Sequence, residues 1–127
     1  MTIRTGRTAS GAWDREALFV ISVAARLVAL HPTTLRKYER AGLLEPVRTT
    51  GKVRLYSWED IARLRQIKYL VDERGINLAG VELALDLTHR LRDLRRRLRR
   101  AGAGAAELDA LVGEALGLLG APVDPGS

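Results

Sequence analysis

Residues 21–56 read ISVAARLVALHPTTLRKYERAGLLEPVRTTGKVRLY, and this stretch decides the fold. It predicts a short helix, a turn of a few residues, and a second helix carrying Arg36, Lys37 and Tyr38. A basic hairpin follows, ending in Arg54 and Tyr56. A helix-turn-helix backed by a wing is an arrangement that reads double-stranded DNA. Ser22 is expected to cap the first helix, because a hydroxyl there accepts from an orphan amide. Val23, Leu27 and Leu30 recur at steps of four and three, the spacing of a buried stripe. Pro32 suits the first position of the second helix, where its fixed φ fits and its missing N–H costs nothing. Leu35 is expected to face inward and Gly42 to stop the helix. Residues 44–48 and 53–56 are expected to form the wing strands around Thr49, Thr50 and Gly51.

A recognition helix needs donors at base edges and others on phosphates. His31, Thr33, Thr34, Arg36, Lys37, Tyr38 and Arg40 are the polar groups on offer. Thr33, Arg36 and Lys37 are assigned to the groove, and Tyr38 to a flanking phosphate through its hydroxyl. Arg36 and Tyr38 stand two apart on a helix, so they cannot point the same way. Arg48, Lys52 and Arg54 are assigned to the backbone beside the groove, where cations supply the salt-dependent part of affinity. Tyr56 is a further candidate contact, although a core position at the wing root suits it better. Trp58 is expected to pack the start of the third helix under the wing.

Charge supports a polyanion partner. The net charge is +6 and the pI about 10.5. Residues 22–56 hold seven Lys and Arg against two acids, and residues 86–100 hold seven Arg against two Asp. Residues 101–127 carry four acids and no base, so the second basic block has an acidic neighbour. Ser57 and Asp60 have capping-box spacing at the third helix, which Ile61, Leu64, Ile67 and Val71 mark at helical steps before Gly75 ends it. Asn77 is expected to cap a fourth helix containing Leu78, Val81 and Leu85. Beyond it Leu87, Leu91, Leu94, Leu98, Ala101, Ala105, Leu108, Val112, Ala115 and Leu119 keep one heptad phase. Gly102 and Gly104 interrupt that seam, leaving either one weakened helix or two helices folded at the glycines. Leu87, Leu91, Leu94, Leu98, Leu108 and Val112 are the expected dimer contacts. An antiparallel pairing, within a chain or between two, would set arginines against acids, and an antiparallel dimer is expected.

Other chemistries are poorly supplied. The chain has no cysteine, and its two histidines, His31 and His89, stand far apart, so no metal site or other cofactor is expected. No nucleophile with a base, paired carboxylates or phosphate-cradling glycine loop occurs in a plausible context, so no enzyme is expected. No apolar run reaches the length of a membrane span, and residues 1–16 lack the apolar core of a signal peptide. A cytoplasmic, nucleoid-associated protein is the expectation.

The run Thr34-Leu35-Arg36, the pair Tyr38-Glu39, Gly42-Leu43-Leu44 and Arg54-Leu55-Tyr56-Ser57 together resemble the N-terminal domain of the MerR family of transcription regulators. The opening residues 20–25, VISVAA, the His31-Pro32 pair and Asn77-Leu78-Ala79-Gly80 are similar to the heat-shock repressor subgroup called HspR. The resemblance covers about residues 19–100. It implies a dimeric repressor on an inverted repeat upstream of chaperone genes, with the Hsp70 chaperone DnaK as co-repressor. It also implies DNA contacts from Arg36, Tyr38 and, on the wing, Arg54. Lys37 stands where many relatives carry an aromatic residue.

The expected architecture is mainly α: a winged helix-turn-helix domain with a two-stranded wing, then a coiled-coil dimerisation segment. Its bounds are a flexible arm at 1–18, the DNA-binding domain at 19–86, the dimerisation segment at 87–120 and a disordered tail at 121–127. Within the arm, Arg4 and Arg7 are possible phosphate contacts and Trp13 a residue that docks on the body. The expected function is sequence-specific repression of heat-shock genes. The alternatives are regulation of another set of genes, or a chaperone-binding adaptor that retains the fold.

Overall fold

A computed structural model of the chain describes residues 2–4 and 18–122. The expectations for Arg7, Trp13 and residues 123–127 lie outside the described residues. The chain forms two compact units, residues 1–65 and 66–127.

The first unit is built on a four-stranded antiparallel sheet in the order β1-β2-β4-β3. Its strands are β1 (Thr2–Arg4), β2 (Leu18–Val20), β3 (Val47–Arg48) and β4 (Arg54–Ser57). Thr2–Arg4 therefore pair with β2, where a flexible arm was expected. The wing also differs from expectation. Only two residues of its first arm are strand, because Pro46 has no N–H to give to a ladder. Its second arm is shared, since β4 pairs with β3 on one edge and with β2 on the other.

Two helices lie between β2 and β3 in sequence: α1 (Ile21–Val28) and α2 (Pro32–Arg40). The start and buried face of α1 correct the sequence reading. Val20, not Ser22, is the N-cap, and no side chain caps the helix. Ala24, Ala25 and Val28 are enclosed, whereas Leu27 is 37% exposed and Val23 and Leu30 are half-buried. The expected stripe followed the large side chains. The alanines face inward instead, and α1 packs on α2. Helix α2 starts and stops where expected, although its cap was not foreseen. Pro32 is its first residue, and His31 caps it by accepting the Thr33 N–H at Nδ1 (3.1 Å). At its far end Gly42 sits at φ +80, and the Gly42 and Leu43 amides donate to the Glu39 and Tyr38 carbonyls. That is a Schellman closure, which turns the chain sharply toward the wing.

Helix α3 (Trp58–Lys68) opens on the expected capping box. The Asp60 N–H donates to Ser57 Oγ (3.1 Å), and the Ser57 N–H donates to Asp60 Oδ2 (2.9 Å). Burial pushes the Asp60 carboxyl above its usual range, against the hydrogen bonds from Ser57. Trp58 is not sealed under the wing: it is exposed on one side and meets Phe19 of β2 edge-on, with centroids 4.7 Å apart.

The second unit holds the end of α3, a π-helical turn at Tyr69–Glu73, α4 (Leu78–Ala101) and α5 (Ala106–Leu118). Asn77 caps α4 by accepting the Gly80 N–H at 2.8 Å. The glycines resolve the open question about the leucine seam. Helix α4 ends at Gly102, and after a 3-10 turn (Ala103–Ala105) α5 folds back on it. Buried Gln66 fixes the return by donating to Thr88 Oγ1 (2.9 Å) and to the Leu119 carbonyl (3.1 Å). Arg95 Nε donates to Asp109 (3.0 Å), Arg99 adds a second contact, and Arg92 donates to the Pro122 carbonyl. The Arg95 hydrogen bond holds the Asp109 carboxyl below its usual range. Opposite charges thus meet antiparallel within one chain, so these pairs no longer argue for an antiparallel dimer.

Candidate nucleic-acid interface

The solvent face of α2 is made by its spacing. Leu35 and Tyr38, three apart, point into the core at 0% and 5% exposure. Thr33, Lys37 and Arg40 are left exposed, and Thr34 and Arg36 half-buried. Five of the seven groups on offer are therefore accessible on this helix. Tyr38 differs from these five, since its ring belongs to the core. Arg36 and Tyr38 do diverge, as their two-residue spacing requires.

The wing carries its cations differently from expectation. Thr49 starts a tight loop: the Lys52 N–H donates to the Thr49 carbonyl (2.8 Å), and the Val53 N–H donates to Thr49 Oγ1 (3.1 Å). Lys52 occupies the left-handed position at φ +64, where a three-residue hairpin loop ordinarily places glycine. Gly51 stands one residue too early to relieve it. The loop thus projects an exposed ammonium from its tip at a conformational cost of about 1 kcal/mol.

Arg48 and Arg54 face each other across the β3–β4 ladder. Like charges directly opposed in a sheet repel. The carboxylate of Glu39, from the last turn of α2, resolves the conflict. Glu39 Oε1 is paired with Arg48 Nη2, and Glu39 Oε2 lies 2.5 Å from Arg54 Nε. The Arg54 pair is a charge contact rather than an aligned hydrogen bond. Tyr56 is fully enclosed beside this group, its hydroxyl without an aligned partner. Burial, and then the charge of Glu39, pushes its pKa up to about 12. Tyr56 is therefore a core residue at the wing root, and a phosphate contact from it is corrected.

Sequence reading missed two residues here. His31 was taken as a possible contact and instead caps α2. Glu39 received no role, although it is one of only two acids among residues 22–56 and stands in a strongly cationic segment. That isolation was the available signal. Among the described residues no cluster of His, Asp and Glu is arranged to hold a metal, and no helix is long and apolar enough to cross a membrane.

Residues 19–88 match the family described as MerR HTH family regulatory protein. The chain is 48% identical over 92 residues to the heat shock protein HspR of Streptomyces coelicolor, a match covering 72% of this chain and 59% of that protein. It is 40% identical over 68 residues to the HTH-type transcriptional regulator GlnR of Bacillus anthracis, covering 54% of this chain and 52% of the relative. With the HTH-type transcriptional regulator MlrA of Escherichia coli K12 it shares 41% identity over 70 residues, 54% of this chain and 28% of the relative. The chain thus spans between a quarter and three-fifths of the length of these relatives. None of the three bears an enzyme's name. With more than half of its residues inside the family match, the chain belongs to the MerR HTH family of regulatory proteins.

Proposed function

We propose that the protein is a sequence-specific, dimeric DNA-binding repressor of heat-shock genes. The observation that carries this is the pairing, within one unit, of an accessible helix face bearing Thr33, Arg36, Lys37 and Arg40 with a wing tipped by Lys52. The helix offers hydrogen-bonding groups for base edges, and the wing offers cations for phosphates. Arg48 and Arg54 remain in the interface, each guanidinium keeping donors beyond the one turned to Glu39. The similarity to HspR supports the heat-shock assignment.

Residues 19–86 are the DNA-binding domain in this reading, residues 87–120 couple two copies, and the site is an inverted repeat. Leu87 and Leu94 are exposed on α4, and Leu108 on α5, so they are open to a second copy. Val112 is buried within its own chain, which corrects its expected place in the dimer contact. Free Hsp70 (DnaK) acts as co-repressor in the cytoplasm, and unfolded protein draws it away. Footprinting on the protein's own promoter region, with and without added Hsp70, tests all three parts. Two protected half-sites about one helical turn apart, strengthened by Hsp70, are expected. No protection at low salt removes the DNA reading. Protection indifferent to Hsp70 removes only the co-repressor.

A further inference from the structure

Glu39 occupies an unusual position for an acid in a surface meant for a polyanion. Its side chain is 12% exposed, and it sits at the C-terminal end of α2, the end a helix dipole makes unfavourable for negative charge. Burial and the dipole both oppose the charge. Two guanidiniums oppose that cost, one from each strand of the wing. No other carboxylate forms an ion pair with Arg48 or Arg54 among the described residues. The remaining polar atoms are imperfectly satisfied. Glu39 Oε2, Arg54 Nε and the Tyr56 hydroxyl are all enclosed without an aligned hydrogen bond. A half-satisfied, partly enclosed network is a poor source of stability, so stability alone does not account for it.

We propose that Glu39 is a positioning residue that locks the wing to the recognition helix and thereby sets sequence discrimination. The proposal rests on the DNA-binding reading above. Base contacts come from α2 and phosphate contacts from the wing, so discrimination requires the two to engage one duplex in a fixed relation. Glu39 supplies that relation through both wing arginines. It also holds each guanidinium by one edge, leaving the other donors for phosphate oxygens. Without Glu39 the wing still carries its cations, but they can grip any phosphate in several poses. The protein then gains charge and loses register.

The test uses the full chain with E39Q, E39A and E39D. The specific probe is a duplex selected by the wild-type protein from a randomised pool, and the reference is a mixed-sequence duplex. For E39Q and E39A the affinity ratio between the two is expected to fall about tenfold, the scale of one lost base-reading geometry. Affinity for the mixed duplex is expected to hold or rise, with a salt slope steeper by about one, since one negative charge is gone. E39D, which keeps the charge on a shorter arm, is expected to recover part of the ratio. Without DNA, amide exchange at residues 49–53 is expected to quicken in E39Q and E39A while residues 78–101 stay unchanged. A ratio that stays at the wild-type value, or wing exchange that does not change, overturns the proposal. Equal loss on both duplexes overturns it too, since that is the signature of a folding defect. A wild-type protein that selects no duplex overturns the DNA reading itself, a result separable from those above.

Discussion

Lys52 shows how a single backbone angle separates stability from function. At φ +64 its Cβ is crowded by its own backbone, and glycine is free of that conflict. Lys52→Gly should therefore stabilise the chain by up to about 1 kcal/mol, read as a higher thermal midpoint. The same change removes the cation at the wing tip. Binding to every duplex should weaken alike, with a salt slope shallower by about one. A variant that is both more stable and weaker on DNA would mark the strain as kept for the contact. Tyr56 makes the complementary case inside the wing root. Its pKa is pushed up to about 12 from 10.0, so the folded state holds this proton more tightly than the unfolded one. The stabilisation is complete below pH 10 and is lost as pH rises through 10 to 12. Tyr56→Phe cannot ionise and should resist alkaline unfolding in that window, followed by circular dichroism. At neutral pH it should cost about 1 kcal/mol or less, because burial is the leading cause of the shift and hydrogen bonding to Glu39 the smallest.

At the scale of elements, the local signals were legible and the tertiary ones were not. Pro32, Gly42, the Ser57–Asp60 box and Asn77 each act through residues within one turn of themselves, and each marks the expected helix end. The β2–β4 pairing joins residues far apart in sequence, and no local pattern announces it. The same holds for Ala24 and Ala25, whose burial is set by the elements packed against α1 and not by any local pattern of large side chains. Gly102 is an intermediate case. The sequence marked a break there and left its form open. At φ +96 and ψ −160 the residue lies in a region essentially reserved for glycine. Gly102→Ala should therefore disfavour the reversal by about 1–3 kcal/mol. An alanine at that position favours continuing α4. Helix content should rise while the Arg95–Asp109 contact is lost, the first read by circular dichroism and the second by a disulfide engineered between those helices. An unchanged rate of disulfide formation would show that packing, not the glycine, sets the reversal.

For the whole molecule, the charge pattern and the apolar pattern carry different parts of the function. Both basic blocks were legible from sequence, but their uses differ in ways that only contacts reveal. In the first, a half-buried glutamate holds two of the cations. In the second, Arg95 and Arg99 are joined to Asp109, and Arg96 and Arg97 to Asp93. The leucine seam was likewise visible, and the structure divides it. Val112 and Leu116 are consumed within the chain, whereas Leu83, Leu87 and Leu94 stay 69%, 45% and 44% exposed on α4. Their steps of four and seven keep them on one side of that helix. Covering a leucine gains about 1.5–3 kcal/mol, so the proposed dimer would be stabilised by seating a second copy on this face. Leu94→Lys places a charge within that seam while leaving the chain's own core untouched. Its thermal midpoint at low protein concentration should stay near wild type. Sedimentation should show a shift from dimer to monomer, and affinity should drop far more on a duplex with two half-sites than on one with a single half-site. A variant that remains dimeric, with both affinities intact, would move the interface off this face of α4 and onto the leucines of α5.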